Sequence, residues 1–200
     1  MDLNNFDRVA GFYDWMAKLV FGGAILSSQI AFQELIQKNH AVLILGGGSG
    51  KLLERLPPVR HIDYIEKSKK MIQLASRRTT LNHIEFHQQD FLHWSFDRKY
   101  DAILCPFFLD CFGPENLDRV LTQVTKHLTH GGLLFVADFE RKYTPQVLSK
   151  IMHYFFAITT NLESKELVHI HEKIESKGLE LMNEKFFHQN MIFSRVYRNL

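Results

Sequence analysis

The chain has 200 residues, a formal net charge of +2 and 46% hydrophobic residues, among them 17 phenylalanines. That length suits one domain with its own core, and the near-neutral balance excludes a polyelectrolyte binder. Lys67, Lys69, Lys70, Arg77 and Arg78 therefore read as the solvated face of one helix, with no nucleic-acid partner expected.

Cys105 and Cys111 are too few for a disulfide framework and read as reduced thiols of a cytoplasmic protein. The opening MDLNNFDRVAGF lacks the basic start of a secretory signal, and LVFGGAIL is too short to span a bilayer, so no transmembrane segment is expected.

Residues 6–20 and 24–37 pattern as two helices broken at Gly22-Gly23. VLIL at 42–45 is apolar on both faces, as a buried parallel strand must be. A glycine-rich turn follows, then a helix from about Gly50 that ends at Pro57-Pro58. HIDYI (61–65) is a second strand, and Ser68 can cap a helix in which Met71, Ile72 and Ala75 recur at helical spacing. IEFH (84–87) and YDAIL (100–104) are further strands.

Pro114-Glu115 open a helix carrying Leu117, Val120, Leu121, Val124 and Leu128, with Gly131-Gly132 as its stop. LLFVA (133–137) is the fifth strand. Thr144-Pro145 start a helix to about Ile158, and another spans roughly 164–176, stopping at Gly178. GLELMNEKFF and MIFSRVYR, joined by HQN, form a hairpin. The alternation implies an α/β fold: a doubly wound, mostly parallel seven-stranded sheet closed by an antiparallel C-terminal hairpin strand.

Three ligand classes use a glycine-rich turn between strand and helix. A P-loop needs four residues between its glycines and then Lys-Ser/Thr; here the spacing is one short and Leu52 has no hydroxyl. A dinucleotide turn needs a third glycine where Lys51 stands. G-x-G-x-G remains, at Gly46, Gly48 and Gly50.

VLILGGGSG resembles motif I of the class I S-adenosylmethionine-dependent methyltransferases. DYIEKSKKMI, HQQDFLHW, YDAILCPFFLDCF and HLTHGGLLFVADF follow in that family's order, and the C-terminal hairpin matches its antiparallel seventh strand. The likeness is close over about 40–140. FDRVAGFYDWMAKLVFG more loosely resembles the start of the ubiquinone/menaquinone C-methyltransferase type.

The resemblance implies S-adenosyl-L-methionine as cofactor and one methyltransferase-like domain over 1–200. Within it, 1–38 would be an N-terminal helical cap and 144–177 a helical substrate-side region. It implies that Glu66 binds both ribose hydroxyls, since a carboxylate can accept two hydrogen bonds from a cis-diol. Asp90 and Phe91 would lie near the adenine, and Gly46, Gly47, Gly48 and Gly50, with Lys67, Met71 and Pro106, would line the rest of the cofactor site. Tyr13 would cover it. The helix N-terminus after the turn would receive the cofactor carboxylate. One position departs: the family usually has an acid where Ile44 stands. Ile44 either fills a buried strand face, or the methionine ammonium is held by other groups, such as turn carbonyls.

No motif compels a catalytic residue, because methyl transfer from a sulfonium depends largely on positioning. Geometry nominates Asp110 and Tyr13, with Asp138 and Glu140 after the fifth strand. The plainer readings are a loop carboxylate capping the 115–128 helix for Asp110, and solvated or helix N-terminal charges for Asp138 and Glu140. Phe107, Phe108, Phe112, Tyr154, Phe155 and Phe156 read as core or as a flat apolar pocket, the latter suiting a small apolar or aromatic acceptor.

His169 and His171 do not share a helical face, His127 and His130 lie at a helix C-terminus, and no H-E-x-x-H or C-x-x-C occurs, so no metal is expected. The rival readings are a nicotinamide-dependent reductase, disfavoured by Lys51 and the hairpin, and a non-catalytic cofactor-binding domain, favoured by Ile44. The N-terminal helices offer either a cap or a homodimer contact.

Overall fold

The computed structural model describes residues 21–94, 97–143 and 170–200. The expected helices over 6–20 and from Thr144, together with Tyr13, Tyr154, Phe155, Phe156 and His169, lie outside the described residues.

Seven strands form one sheet: β1 (Ala41–Leu45), β2 (His61–Glu66), β3 (Ile84–Gln88), β4 (Tyr100–Pro106), β5 (Leu128–Phe139), β6 (Leu179–Phe187) and β7 (Ile192–Asn199). Their order is β3-β2-β1-β4-β5-β7-β6. β1 pairs parallel with β2 and β4, β2 with β3, and β4 with β5, while β7 runs antiparallel between β5 and β6. Described helices are α1 (Ala24–Gln29), α2 (Lys69–Ala75), α3 (Pro114–His127) and α4 (Ile170–Glu175).

All five residues of β1 are buried, as a central strand covered on both faces requires. Its side chains alternate between two cores. Ala41, Leu43 and Leu45 pack on the side of α3 and α4, with Leu117, Val120, Leu121, Val124 and Ile174. Val42 and Ile44 pack on the other, with Leu52, Leu53, Ala75 and Ile36. Each fully buried aliphatic side chain contributes on the order of 1.5–3 kcal/mol.

Three expected elements differ. The helix after the glycine turn is a single 3-10 turn, Lys51–Glu54, entered from Gly50 in the left-handed region (φ 72). Pro57-Pro58 leave no room for an α-helix to develop. The 24–37 helix ends as α at Gln29 and resumes only as a 3-10 turn, Gln33–Leu35. There Ser28 Oγ donates to Ile25 O at 2.8 Å, a local bond that competes with the helical ladder.

α3 stops at His127, and Gly131-Gly132 lie inside β5 rather than capping the helix. The register jumps from Tyr100↔Leu128 to Ala102↔Leu133, so the glycines sit in a bulge, with Gly131 at φ 74. The hairpin link is HQN, as expected: His188, Gln189 and Asn190 all take positive φ between β6 and β7.

A buried carboxylate locks the β2 side of the sheet. Asp63, fully buried, accepts from His87 Nε2 (2.7 Å), Arg98 (2.7 Å) and Tyr100 Oη (2.8 Å). Burial would raise its pKa, but hydrogen bonds from His87, Tyr100 and His61 outweigh that and hold it below the ordinary aspartate value.

Candidate functional site

The glycine turn lies at the carboxyl end of β1, where open α/β sheets receive ligands. Its spacing has a backbone cause: Gly46, Gly48 and Gly50 take φ of 63, 60 and 72, alternating through the left-handed region. A Cβ on Gly46 would stand 2.5 Å from Phe108 Cδ2, so the turn is packed from the β4 side. At Gly48 a Cβ would meet nothing within 4 Å, so this residue faces open space.

β2 fixes the turn. Glu66, its last residue, accepts from Gly48 N–H at 3.1 Å with one oxygen and from Ser68 N–H at 2.8 Å with the other. Burial raises its pKa above the usual glutamate value, against the pull of the Ser68, Gly48 and Lys67 amides. Tyr64 Oη donates to Gly48 O at 2.9 Å. Arg78, expected in a solvated basic cluster, instead donates through Nε to Ser49 O at 3.0 Å and pairs with Glu54 at 3.2 Å.

Beside Glu66, Asp90 accepts from Lys67 Nζ at 3.0 Å and from Leu92 N–H at 3.1 Å, capping the 3-10 turn Phe91–His93. Burial raises the Asp90 pKa, but the Lys67 bond and the Leu92 amide bring the net shift below the ordinary value. Phe91 is 2% exposed and packs against Trp94 and Phe108. Met71, whose N–H donates to Ser68 Oγ at 3.3 Å, and Pro106, at the end of β4, are also buried. Glu66, Lys67, Asp90 and the turn are thus gathered at one end of β1–β3.

Residues 42–132 match the model of a methyltransferase domain family. The chain is 30% identical over 156 residues to demethylmenaquinone methyltransferase of Thermotoga maritima, covering 75% of this chain and 66% of that one. It is 29% identical over 101 residues to malonyl-(acyl-carrier protein) O-methyltransferase of Bacillus cereus, covering 49% of this chain and 37% of that protein. Residues 42–132 are thus methyltransferase-like, and the fold is that of S-adenosylmethionine-dependent methyltransferases.

The fold matches N-methyltransferase NodS from Bradyrhizobium japonicum, solved with S-adenosyl-l-homocysteine, at a TM-score of 0.58 and 15% identity over 99% of this chain and 89% of that one. The chain therefore spans only part of the length of either curated relative.

Next to the glycine turn, β4 runs into strained backbone. Phe107, not a glycine, sits at φ 53, which costs on the order of 1–3 kcal/mol. Its N–H donates to Ala137 O at 2.7 Å, and its ring meets Phe139 at 4.9 Å. Phe108 stacks edge-on with Phe112, also at 4.9 Å. The 3-10 turn Leu109–Cys111 then brings Asp110 to β5. Asp110 N–H donates to Asp138 Oδ2 at 3.2 Å, and Cys111 Sγ lies 3.5 Å from Asp110 Oδ1.

Several plainer expectations are corrected here. Asp110 does not cap α3, whose N-cap is Gly113 with no side-chain bond. Asp138 is no solvated charge: it lies inside β5, fully buried, and also accepts from Phe139 N–H at 2.9 Å. Burial first, then the Asp110 charge, push its pKa well above the usual value. Glu140 pairs with Arg195 at 3.1 Å, and Arg195 also holds Glu184 and covers the Phe193 ring at 4.1 Å.

The helix N-terminus expected to receive the cofactor carboxylate is replaced by the four-residue 3-10 turn after Gly50. Ile44 is fully buried among apolar neighbours on the Val42 side of the sheet, so it fills core. Among the histidines, His127 closes α3 but is buried, bonding Arg98 O through Nδ1 at 3.1 Å.

Tyr64 and Arg78 escaped the sequence reading as turn contacts. Tyr64 alone carried a signal: a tyrosine two residues before the strand-ending acid, in register with Ile44.

Proposed function

We propose that the chain transfers the methyl group of S-adenosylmethionine to a small apolar or aromatic acceptor. The observation that carries the reading is the Glu66 carboxylate bound to the amide of Gly48, in a turn that faces open space at that glycine. The donor set suits the cofactor. Both Glu66 oxygens take amide bonds, and the carboxylate has acceptor capacity left for a ribose hydroxyl. Asp90, paired with Lys67, and the edge of Phe91 border the adenine side. Met71 and Pro106 support the cofactor site from α2 and β4.

Bound S-adenosylmethionine supplies an electrophilic methyl with a good, neutral leaving group. The chain's own task is to orient donor and acceptor and to exclude water. On the acceptor side we assign Asp110 as proton acceptor, because the 3-10 turn that carries it is tied to the end of β5 by its N–H bond to Asp138. The Phe107, Phe108, Phe112 and Phe139 rings form the apolar surroundings of that position. The likeness to a demethylmenaquinone methyltransferase supports an aromatic acceptor.

Incubation with S-adenosylmethionine and a panel of hydrophobic phenols and quinols tests the assignment, with S-adenosylhomocysteine formation as readout. Acceptor-dependent turnover with members of the panel is expected; none with any member overturns the acceptor class.

A further inference from the structure

Ile44 leaves the strand before the turn without the acid that resembling chains carry there. The β1–β2 register puts Tyr64 directly opposite Ile44. Tyr64 is fully buried, its ring lies against Phe86 at 5.2 Å, and its hydroxyl reaches past β1 to Gly48 O at 2.9 Å. A Cβ on Gly47 would overlap the tip of that ring, Cζ and Oη together. The glycine turn therefore rests on the tyrosine: one residue of it is bare so that the ring can approach, and the next gives it a carbonyl.

We propose that Tyr64 is a positioning residue that braces the glycine turn in place of an acid at position 44, and that this brace sets the turn's grip on the amino-acid end of the cofactor. The inference rests on the reading that this turn receives S-adenosylmethionine. A trans peptide holds its C=O and N–H on opposite sides. Drawing Gly48 C=O inward to Tyr64 turns the N–H of the same peptide, that of Ser49, away from the tyrosine. Gly46, Gly48 and Gly50 alternate through the left-handed region around it, a backbone form that makes anion-binding concavities, while their own N–H groups are taken by Ile65 O, Glu66 and Gly47 O. Glu66 acts on the other side of the turn, through Gly48 N–H. The two contacts divide the work: Glu66 serves the ribose, and Tyr64 the methionine carboxylate.

Calorimetric titration of wild type and Tyr64→Phe with S-adenosylmethionine, S-adenosylhomocysteine and 5′-methylthioadenosine separates these roles, because the last ligand has no amino-acid end. Tyr64→Phe is expected to bind the first two about 3- to 10-fold more weakly, the range set by losing one hydrogen bond. Binding of 5′-methylthioadenosine should stay within about twofold, on the same scale. Equal losses for all three ligands, or no loss for S-adenosylmethionine, overturn the proposal.

Should Tyr64→Phe not fold, amide spectra of the wild type give the same test. The Ser49 signal should shift with S-adenosylmethionine and S-adenosylhomocysteine but not with 5′-methylthioadenosine, and equal shifts with all three overturn the brace. Failure of wild type to bind S-adenosylmethionine at all would instead reject the cofactor reading itself.

Discussion

Glu66 carries two loads at once. It ties the glycine turn to α2 by accepting from Gly48 and Ser68, and in the proposed reading it also receives the ribose hydroxyls. Glu66→Ala should weaken S-adenosylmethionine binding by roughly 1.5–3 kcal/mol, the scale of charged hydrogen bonds, read by calorimetry. Unchanged affinity would put the ribose elsewhere. The residue was legible as an acid ending β2, because a strand's end and an acid are both local features. Its contact with Gly48 was not, since that needs the turn to fold back over β2. Tyr64, Arg78 and Asp138 were misjudged or missed for the same reason: each contact spans from 16 to 29 residues of chain and follows no local pattern.

At the scale of elements, the strands were the legible part. VLIL and LLFVA are apolar on both faces, and only central strands need that. The element after the turn was not legible, because three residues decided it: a left-handed Gly50 and the Pro57-Pro58 stop outweighed a helix-compatible KLLERL. The α3 terminus failed likewise, since Gly131-Gly132 serve equally as a helix stop or as a bulge, and pairing with β4 chose the bulge.

Asp63 shows what pairing between elements adds. It joins β2 to β3 and β4 through His87 and Tyr100, and its folded pKa lies below its unfolded one, about 3.9. A depressed carboxyl stabilises the fold above its unfolded pKa, and that contribution is lost as pH falls through the folded value. Thermal unfolding of the wild type should therefore drop on acidification below about pH 4. Asp63→Asn, facing the same His61, His87, Arg98 and Tyr100, should be less stable at neutral pH and show a shallower acid limb. An identical acid limb in both proteins would remove Asp63 from the account.

For the whole molecule, the order β3-β2-β1-β4-β5-β7-β6 with β7 antiparallel brings the turn, Glu66, Asp90 and the β4–β5 carboxylates to one end of the sheet. A nicotinamide-binding sheet has no counterpart of that inserted β7, which agrees with the Lys51 mismatch in the turn. The alternation of strands and helices was enough to anticipate this architecture, because right-handed crossovers leave few alternatives. The acceptor was not legible to the same degree, since the rings and carboxylates proposed to receive it come from separate loops.

The most direct test of the account is one calorimetric titration of the intact chain with S-adenosylmethionine, S-adenosylhomocysteine and NADH. The account predicts micromolar binding of both sulfur nucleosides and none of NADH; binding of NADH alone, or of neither sulfur nucleoside, would contradict it.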